Sequence, residues 1–146
     1  MAADDLKKLI DRAMEVEVGE YGDEAAREFY RRLKERKFRT TRCKACGEVA
    51  LPPRMFCPAC FAGEVEWIDL PARGTLFAFT QQERSLRFGK PDVIGVVELP
   101  GVGRLLTRID APFDDLAIGM EVEVDFLDVS ENQTLHQFRP VKRHYT

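Results

Sequence analysis

The sequence predicts a mainly β chain with helices at its N-terminus, and three observations carry that expectation. Two cysteine pairs sit in a proline-rich stretch between residues 43 and 60. Period-two strand patterns follow, the cleanest of them at residues 121–126. Ahead of both, apolar residues recur at helical spacing. With 146 residues, 45% hydrophobic and 32% charged, the chain can bury a useful core without depending wholly on staples. A net charge of -3 gives no whole-chain reason to expect nucleic acid or an anionic membrane as partner.

Residues 4–15 place Leu6, Leu9, Ile10, Ala13 and Met14 at three-and-four spacing, the stripe of a short amphipathic helix. Gly19 and Gly22 interrupt it. Asp23 can cap a second helix running to about Lys37, with Ala26, Phe29, Tyr30 and Leu33 on one face. From Thr40 the pattern changes, and residues 43–60, with Pro52, Pro53 and Pro58, read as a knuckled loop. Arg73 to Gln82 then alternates Thr75, Phe77 and Phe79 against Leu76, Ala78 and Thr80. Val93 to Leu99 is apolar and β-branched, and Pro100-Gly101-Val102-Gly103 turns into a strand from Arg104 to Ile109. In Glu121 to Phe126, Val122, Val124 and Phe126 face inward and the carboxylates outward. Thr134 to Phe138 closes the set, and about five short strands predict a small antiparallel barrel.

No stretch approaches the ~20 apolar residues of a membrane span. The first five residues, with Asp4 and Asp5 among them, lack the basic and apolar regions of a secretory signal. A cytoplasmic location is therefore expected, where thiols stay reduced.

Cys43-Lys44-Ala45-Cys46-Gly47 and Cys57-Pro58-Ala59-Cys60 form a CxxC…CxxC pair with ten residues between the halves. Each CxxC turns two sulfurs toward one point, and two such turns supply a tetrahedral thiolate cage. Zinc suits four soft, deprotonated sulfurs and asks for no redox chemistry. Four cysteines leave no open position for substrate, so the metal reads as structural. Gly47 fits the positive-φ position that follows such a knuckle. Iron is the alternative occupant. A thioredoxin-like dithiol would leave the second pair unexplained, and disulfides conflict with the expected compartment.

Nine basic residues crowd positions 27–44 against Glu28 and Glu35, a face that could hold nucleic acid, coenzyme A phosphates or only solvent. Arg84, Arg87 and Lys90, with Phe88 among them, lie between two predicted strands, where barrels of this type place ligand rims or plain hairpin loops. The GxG at Gly101 and Gly103 lacks a third glycine and leads into a strand, so it is no dinucleotide fingerprint. His136 and His144 are the only histidines, and Ser85 and Ser130 have no recognisable base beside them. No catalytic residue is assigned, and a free-standing enzyme ranks last.

Several short motifs in order resemble a known family. They are Phe29-Tyr30, Arg42-Cys43-Lys44-Ala45-Cys46-Gly47, Leu51-Pro52-Pro53-Arg54, Cys57-Pro58-Ala59-Cys60, and Gly74-Thr75-Leu76 with Thr80. Pro91 to Leu99, Leu106-Thr107-Arg108, Ile118 to Val122 and Phe138-Arg139-Pro140 complete the series. Together they resemble the acyl-CoA-associated proteins once grouped as a domain of unknown function. One departure is visible: the family has glycine after the second knuckle, whereas here Phe61-Ala62 precede Gly63, which leaves that turn open.

The resemblance implies a helical hairpin over residues 1–38, a rubredoxin-like zinc ribbon over 39–68 and a five-stranded OB-fold over 69–146. It implies one structural zinc on Cys43, Cys46, Cys57 and Cys60. It also implies a non-catalytic accessory subunit in a hetero-oligomer with a thiolase-superfamily catalytic subunit, which would share a coenzyme A thioester with it. Arg54, Arg84, Arg87 and Lys90 are the candidate phosphate contacts. An acyl-CoA hydratase or aldolase is the alternative partner. A single-stranded nucleic-acid module is the competing reading, against which the pI near 5.5 counts.

Overall fold

A computed structural model describes residues 4, 5, 8, 24–84 and 91–142. Helix α1 spans Glu24–Lys34 and buries Ala25, Phe29 and Leu33, one residue per turn along a single face. It ends in a left-handed cap: the Arg36 N–H returns to the Leu33 carbonyl and the Lys37 N–H to the Arg32 carbonyl. Arg36 has φ 62, where glycine is favoured. Its guanidinium grips both carboxylate oxygens of Asp128, at 2.9 and 2.6 Å. Of the expected helical hairpin, this second limb is present. Asp4, Asp5 and Lys8 are helical, but the rest of the first limb and the Asp23 cap lie outside the described residues.

A three-stranded sheet follows, ordered β2-β1-β3, with β1 Arg39–Cys43, β2 Val49–Ala50 and β3 Val65–Asp69. The knuckled-loop reading of residues 43–60 did not include β2, and no strand pattern marked β1 or β3 on either side of it. Thr40 and Thr41 of β1 are fully buried. Thr40 donates its hydroxyl to the Ala50 carbonyl. Thr41 donates to the Arg54 carbonyl at 2.8 Å and accepts from the Arg54 N–H at 2.9 Å. Buried hydroxyls thus find partners in the very loop they hold.

Strands β4 Arg73–Gln82, β5 Asp92–Leu99, β6 Gly103–Ile109, β7 Glu121–Asp128 and β8 Thr134–Pro140 close a barrel in the order β4-β5-β6-β8-β7. Leu76, Val97, Leu99, Ile109, Val122 and Phe138 fill it, none more than 1% exposed. Full burial of such side chains stabilises by roughly 1.5–3 kcal/mol each. At Gly74 a Cβ would lie 2.6 Å from the Glu98 carbonyl, so only glycine lets β4 approach β5 this closely.

The expectation of a wholly antiparallel barrel needs one correction. Because β7 sits between β4 and β8, the last strand meets β6 in parallel, and they pair over only two residues, Arg108↔Gln137 and Ile109↔Phe138. Toward Arg104 that seam is flanked by α1, which packs on β8. Phe38 stacks edge-on against Phe138, with ring centres 5.9 Å apart. No helix among the described residues is long and apolar enough to cross a membrane.

Candidate metal centre and adjoining groove

The two CxxC turns fold alike. In the first, the amides of Ala45 and Cys46 point at Cys43 Sγ, at 3.3 and 3.4 Å, and the Gly47 N–H donates to the Cys43 carbonyl. In the second, the Cys60 amide points at Cys57 Sγ at 3.4 Å, and the Phe61 N–H donates to the Cys57 carbonyl. Gly47 has φ 81 and Phe61 has φ 63, so the phenylalanine occupies the glycine position of the knuckle. That settles the turn left open by the sequence. A non-glycine residue held there costs on the order of 1 kcal/mol.

The four sulfurs converge. Cys43 and Cys60 Sγ are 3.6 Å apart, Cys46 and Cys57 Sγ 3.5 Å, and all four lie within 4.8 Å of one another. A tetrahedron with metal–sulfur bonds of about 2.3 Å has edges of about 3.8 Å, so the cage has the size of a zinc site. Cys43 and Cys57 are buried, while Cys46 and Cys60 face solvent.

The thiols do not titrate alike. Cys43 is pulled down to about 6, chiefly by the Cys46 amide, and Cys57 is lowered chiefly by the Cys60 amide. Cys46 is pushed up to about 12: the Glu48 amide draws it down, but the Cys57 sulfur, burial and the two other sulfurs outweigh that pull. Cys60 is also raised: the Ala62 amide and, less, the Cys46 sulfur draw it down, but the Cys43 sulfur, burial and the Cys57 sulfur outweigh them. Amide donors prepare one thiolate in each pair, and crowding resists the rest. A divalent cation at the centre would relieve that crowding and deprotonate all four.

Beside the ribbon runs a groove of about 410 Å³, lined by Phe29 and Tyr30 of α1, Leu51 to Arg54 of the loop, and Arg104 to Leu106 of β6, with His136 of β8. Its walls are largely apolar, and Arg54 and Arg104 are its cations. The Arg104 guanidinium also stacks 3.6 Å from the centre of the Phe77 ring. His136 is packed between α1 and the barrel. Its Nδ1 shares a 2.7 Å hydrogen bond with the Thr107 hydroxyl and its ring meets Phe29, while burial lowers its pKa to about 4.

Of the four candidate phosphate contacts, Arg54 lines this groove. Arg84 is exposed beyond the end of β4 and does not line it. Arg87 and Lys90, with Ser85 between the same strands, lie outside the described residues, as does His144. Sequence reasoning missed Arg104, which no motif marks.

The basic stretch is largely spoken for. Arg31 and Arg32 bind Glu28, Arg36 binds Asp128, Arg39 binds Asp69, and Arg42 binds Glu66, all within 2.8 Å. Lys37 meets Glu35 at 3.3 Å. The carboxyls of Glu28 and Asp128 are held below the usual range, mainly by these guanidinium groups. Arg32 also lies 4.0 Å from the Trp67 ring centre and so ties α1 to the ribbon.

A four-cysteine ribbon leading into a closed five-stranded barrel of this strand order defines a class, the zinc-ribbon proteins with an OB-fold. The chain belongs to the ChsH2/DUF35 family. Residues 31–66 match the rubredoxin-like zinc ribbon domain of ChsH2, and residues 67–127 its C-terminal OB-fold domain.

Among relatives, it is 33% identical over 118 residues to a probable enoyl-CoA hydratase alpha subunit of Thermomonospora curvata, covering 77% of this chain and 36% of that protein. It is 29% identical over 93 residues to the benzoylsuccinyl-CoA thiolase subunit BbsA of Thauera aromatica, covering 63% of this chain and 65% of the relative. A DUF35 domain-containing scaffold protein of Methanothermobacter thermautotrophicus is 30% identical over 99 residues, covering 62% and 72%. The chain thus spans about a third of the first relative and just under two thirds of the second. The DUF35 chain of an Ltp2-ChsH2 aldolase structure superposes with a TM-score of 0.75 at 27% identity, covering 83% of this chain and 98% of that one.

Proposed function

We propose that this chain is a non-catalytic, zinc-containing accessory subunit of an acyl-CoA-processing complex, in first place a thiolase. The observation that carries the reading is that both halves of the chain match one family whose members include a thiolase subunit, a hydratase subunit, a scaffold protein and a component of an aldolase. In this reading residues 1–38 are the arm, 39–68 the metal module and 69–146 the barrel. Cys43, Cys46, Cys57 and Cys60 hold one zinc, and all four thiols serve as ligands. Such thiolates need the reducing conditions of the cytoplasm.

The catalytic subunit brings the reacting groups, and this chain helps to hold the coenzyme A thioester and the assembly. The groove favours that role, because its apolar walls suit an acyl or pantetheine chain and Arg54 suits a phosphate. Arg84, Arg87 and Lys90 are further phosphate contacts in the same proposal. The paired state of Arg31, Arg32, Arg36, Arg39 and Arg42 argues against the nucleic-acid alternative.

The test is omission. The isolated chain is expected to show no thiolase activity, and the purified catalytic subunit to lose activity or stability without it. A catalytic subunit that works and melts identically without this chain contradicts the proposal.

A further inference from the structure

The second knuckle carries more than its half of the metal cage. Among the described residues, two non-glycine residues have positive φ, and they are treated differently. Arg36 is held by its two bonds to Asp128. Phe61 is 77% exposed and, among the described residues, makes no ring contact. Glycine would take that conformation freely, as Gly47 does at the matching point of the first knuckle. A bulky aromatic there bears backbone strain and an exposed apolar ring together.

Its neighbours share the character. Phe56 is 49% exposed, and Pro58 and Ala59 are exposed beside it. From Met55 to Gly63 the chain has no charged side chain, whereas the first knuckle carries Lys44 and ends at Glu48. The flanks are acidic: Glu48 and Glu64 are exposed where the knuckles join the sheet, their carbonyls bonded to Cys43 and Lys44. Four thiolates around a divalent ion add two net negative charges, against Lys44 and Arg54, since Arg42 beside Cys43 is already paired with Glu66.

We propose that this knuckle is a docking prong, with Phe61 as anchor and Phe56 beside it, that inserts into an apolar pocket with a basic rim on the catalytic subunit. The inference rests on the accessory reading and assigns its contact point. Exposed aromatic anchors seated in desolvated pockets carry most of the affinity of an interface, and complementary charge sets the approach. The metal serves this role by rigidifying the turn that presents the ring.

The experiment uses the full chain and the catalytic enzyme that co-purifies with it. Phe61→Gly is expected to keep one zinc per chain, to melt at or above the wild-type temperature, and to bind that enzyme at least tenfold more weakly in calorimetry. Phe56→Ala is expected to weaken binding severalfold with zinc retained. Phe61→Gly binding as tightly as wild type would overturn the inference while leaving the accessory role standing. A wild-type chain that binds no acyl-CoA enzyme would overturn the accessory reading itself, and the prong with it.

Discussion

In the barrel, Leu76, Val97, Leu99, Ile109, Val122 and Phe138 come from all five strands and are at most 1% exposed. In the ribbon, the fully buried side chains are Thr40, Thr41 and Cys57. One module buries hydrocarbon and the other buries hydroxyls and sulfur. The barrel can therefore hold itself by apolar packing, whereas the ribbon has almost no apolar core and relies on its loop hydrogen bonds and on the metal its four cysteines are placed to bind. Helix α1 joins them, with Phe29 and Leu33 in the shared core and Arg32 over Trp67 of β3. The difference teaches that the two halves should fail separately.

The largest expected effect breaks the ribbon alone. Structural zinc contributes on the order of 10 kcal/mol to small sites of this kind. Cys46→Ser should abolish metal binding and unfold residues 39–69. Trp67 is the only tryptophan and sits in that sheet, so its fluorescence reports the loss. The barrel's circular dichroism should persist. Unchanged zinc content and melting in Cys46→Ser would rule out the four-sulfur site.

Next in size is a break in the barrel. Phe138→Ala removes a side chain with 0% exposure that packs against Phe38, and should cost about 3–5 kcal/mol in denaturant unfolding. A loss below about 1 kcal/mol would mean that the barrel core is not where stability resides.

A smaller effect comes from His136, at the seam between α1 and the barrel. Its ordinary pKa of 6.5 falls to about 4 on folding, because burial disfavours the imidazolium. Between those values the unfolded chain takes up a proton that the fold refuses. Its contribution is fully present above pH 6.5 and is lost as pH falls toward 4, by at most about 3 kcal/mol. Urea midpoints measured from pH 7.5 to 4.5 should fall, and His136→Gln should flatten that part of the slope.

The smallest effect concerns the Arg36–Asp128 pair, about half exposed on both sides. Arg36→Ala should lower the melting temperature by about 1–2 °C, with a share of the loss vanishing at high salt. Arg36→Gly should fall less, since glycine relaxes the left-handed cap. Equal losses in the two variants would show that the cap bears no strain.

The barrel was legible in the sequence because its strands alternate, as at Val122, Val124 and Phe126. The ribbon strands were not, because β1 buries threonines that hydropathy patterns score as polar. The CxxC spacing announced the cage, since the motif itself turns both sulfurs to one point. The basic stretch was legible but its partners were not: Glu66 lies 24 residues beyond Arg42, and Asp128 lies 92 beyond Arg36. The parallel meeting of β6 and β8, and the groove with Arg104, arise from strand order, which no local signal carries. The phenylalanine at the second knuckle was visible as a departure from pattern; its conformation was not.

The central claim, that this chain serves a catalytic partner, is tested most directly by mild affinity purification from native cells followed by native mass measurement. The account predicts a complex of fixed stoichiometry with a thiolase-type subunit and one zinc for each copy of this chain. A monomer or homo-oligomer with no protein partner would contradict it.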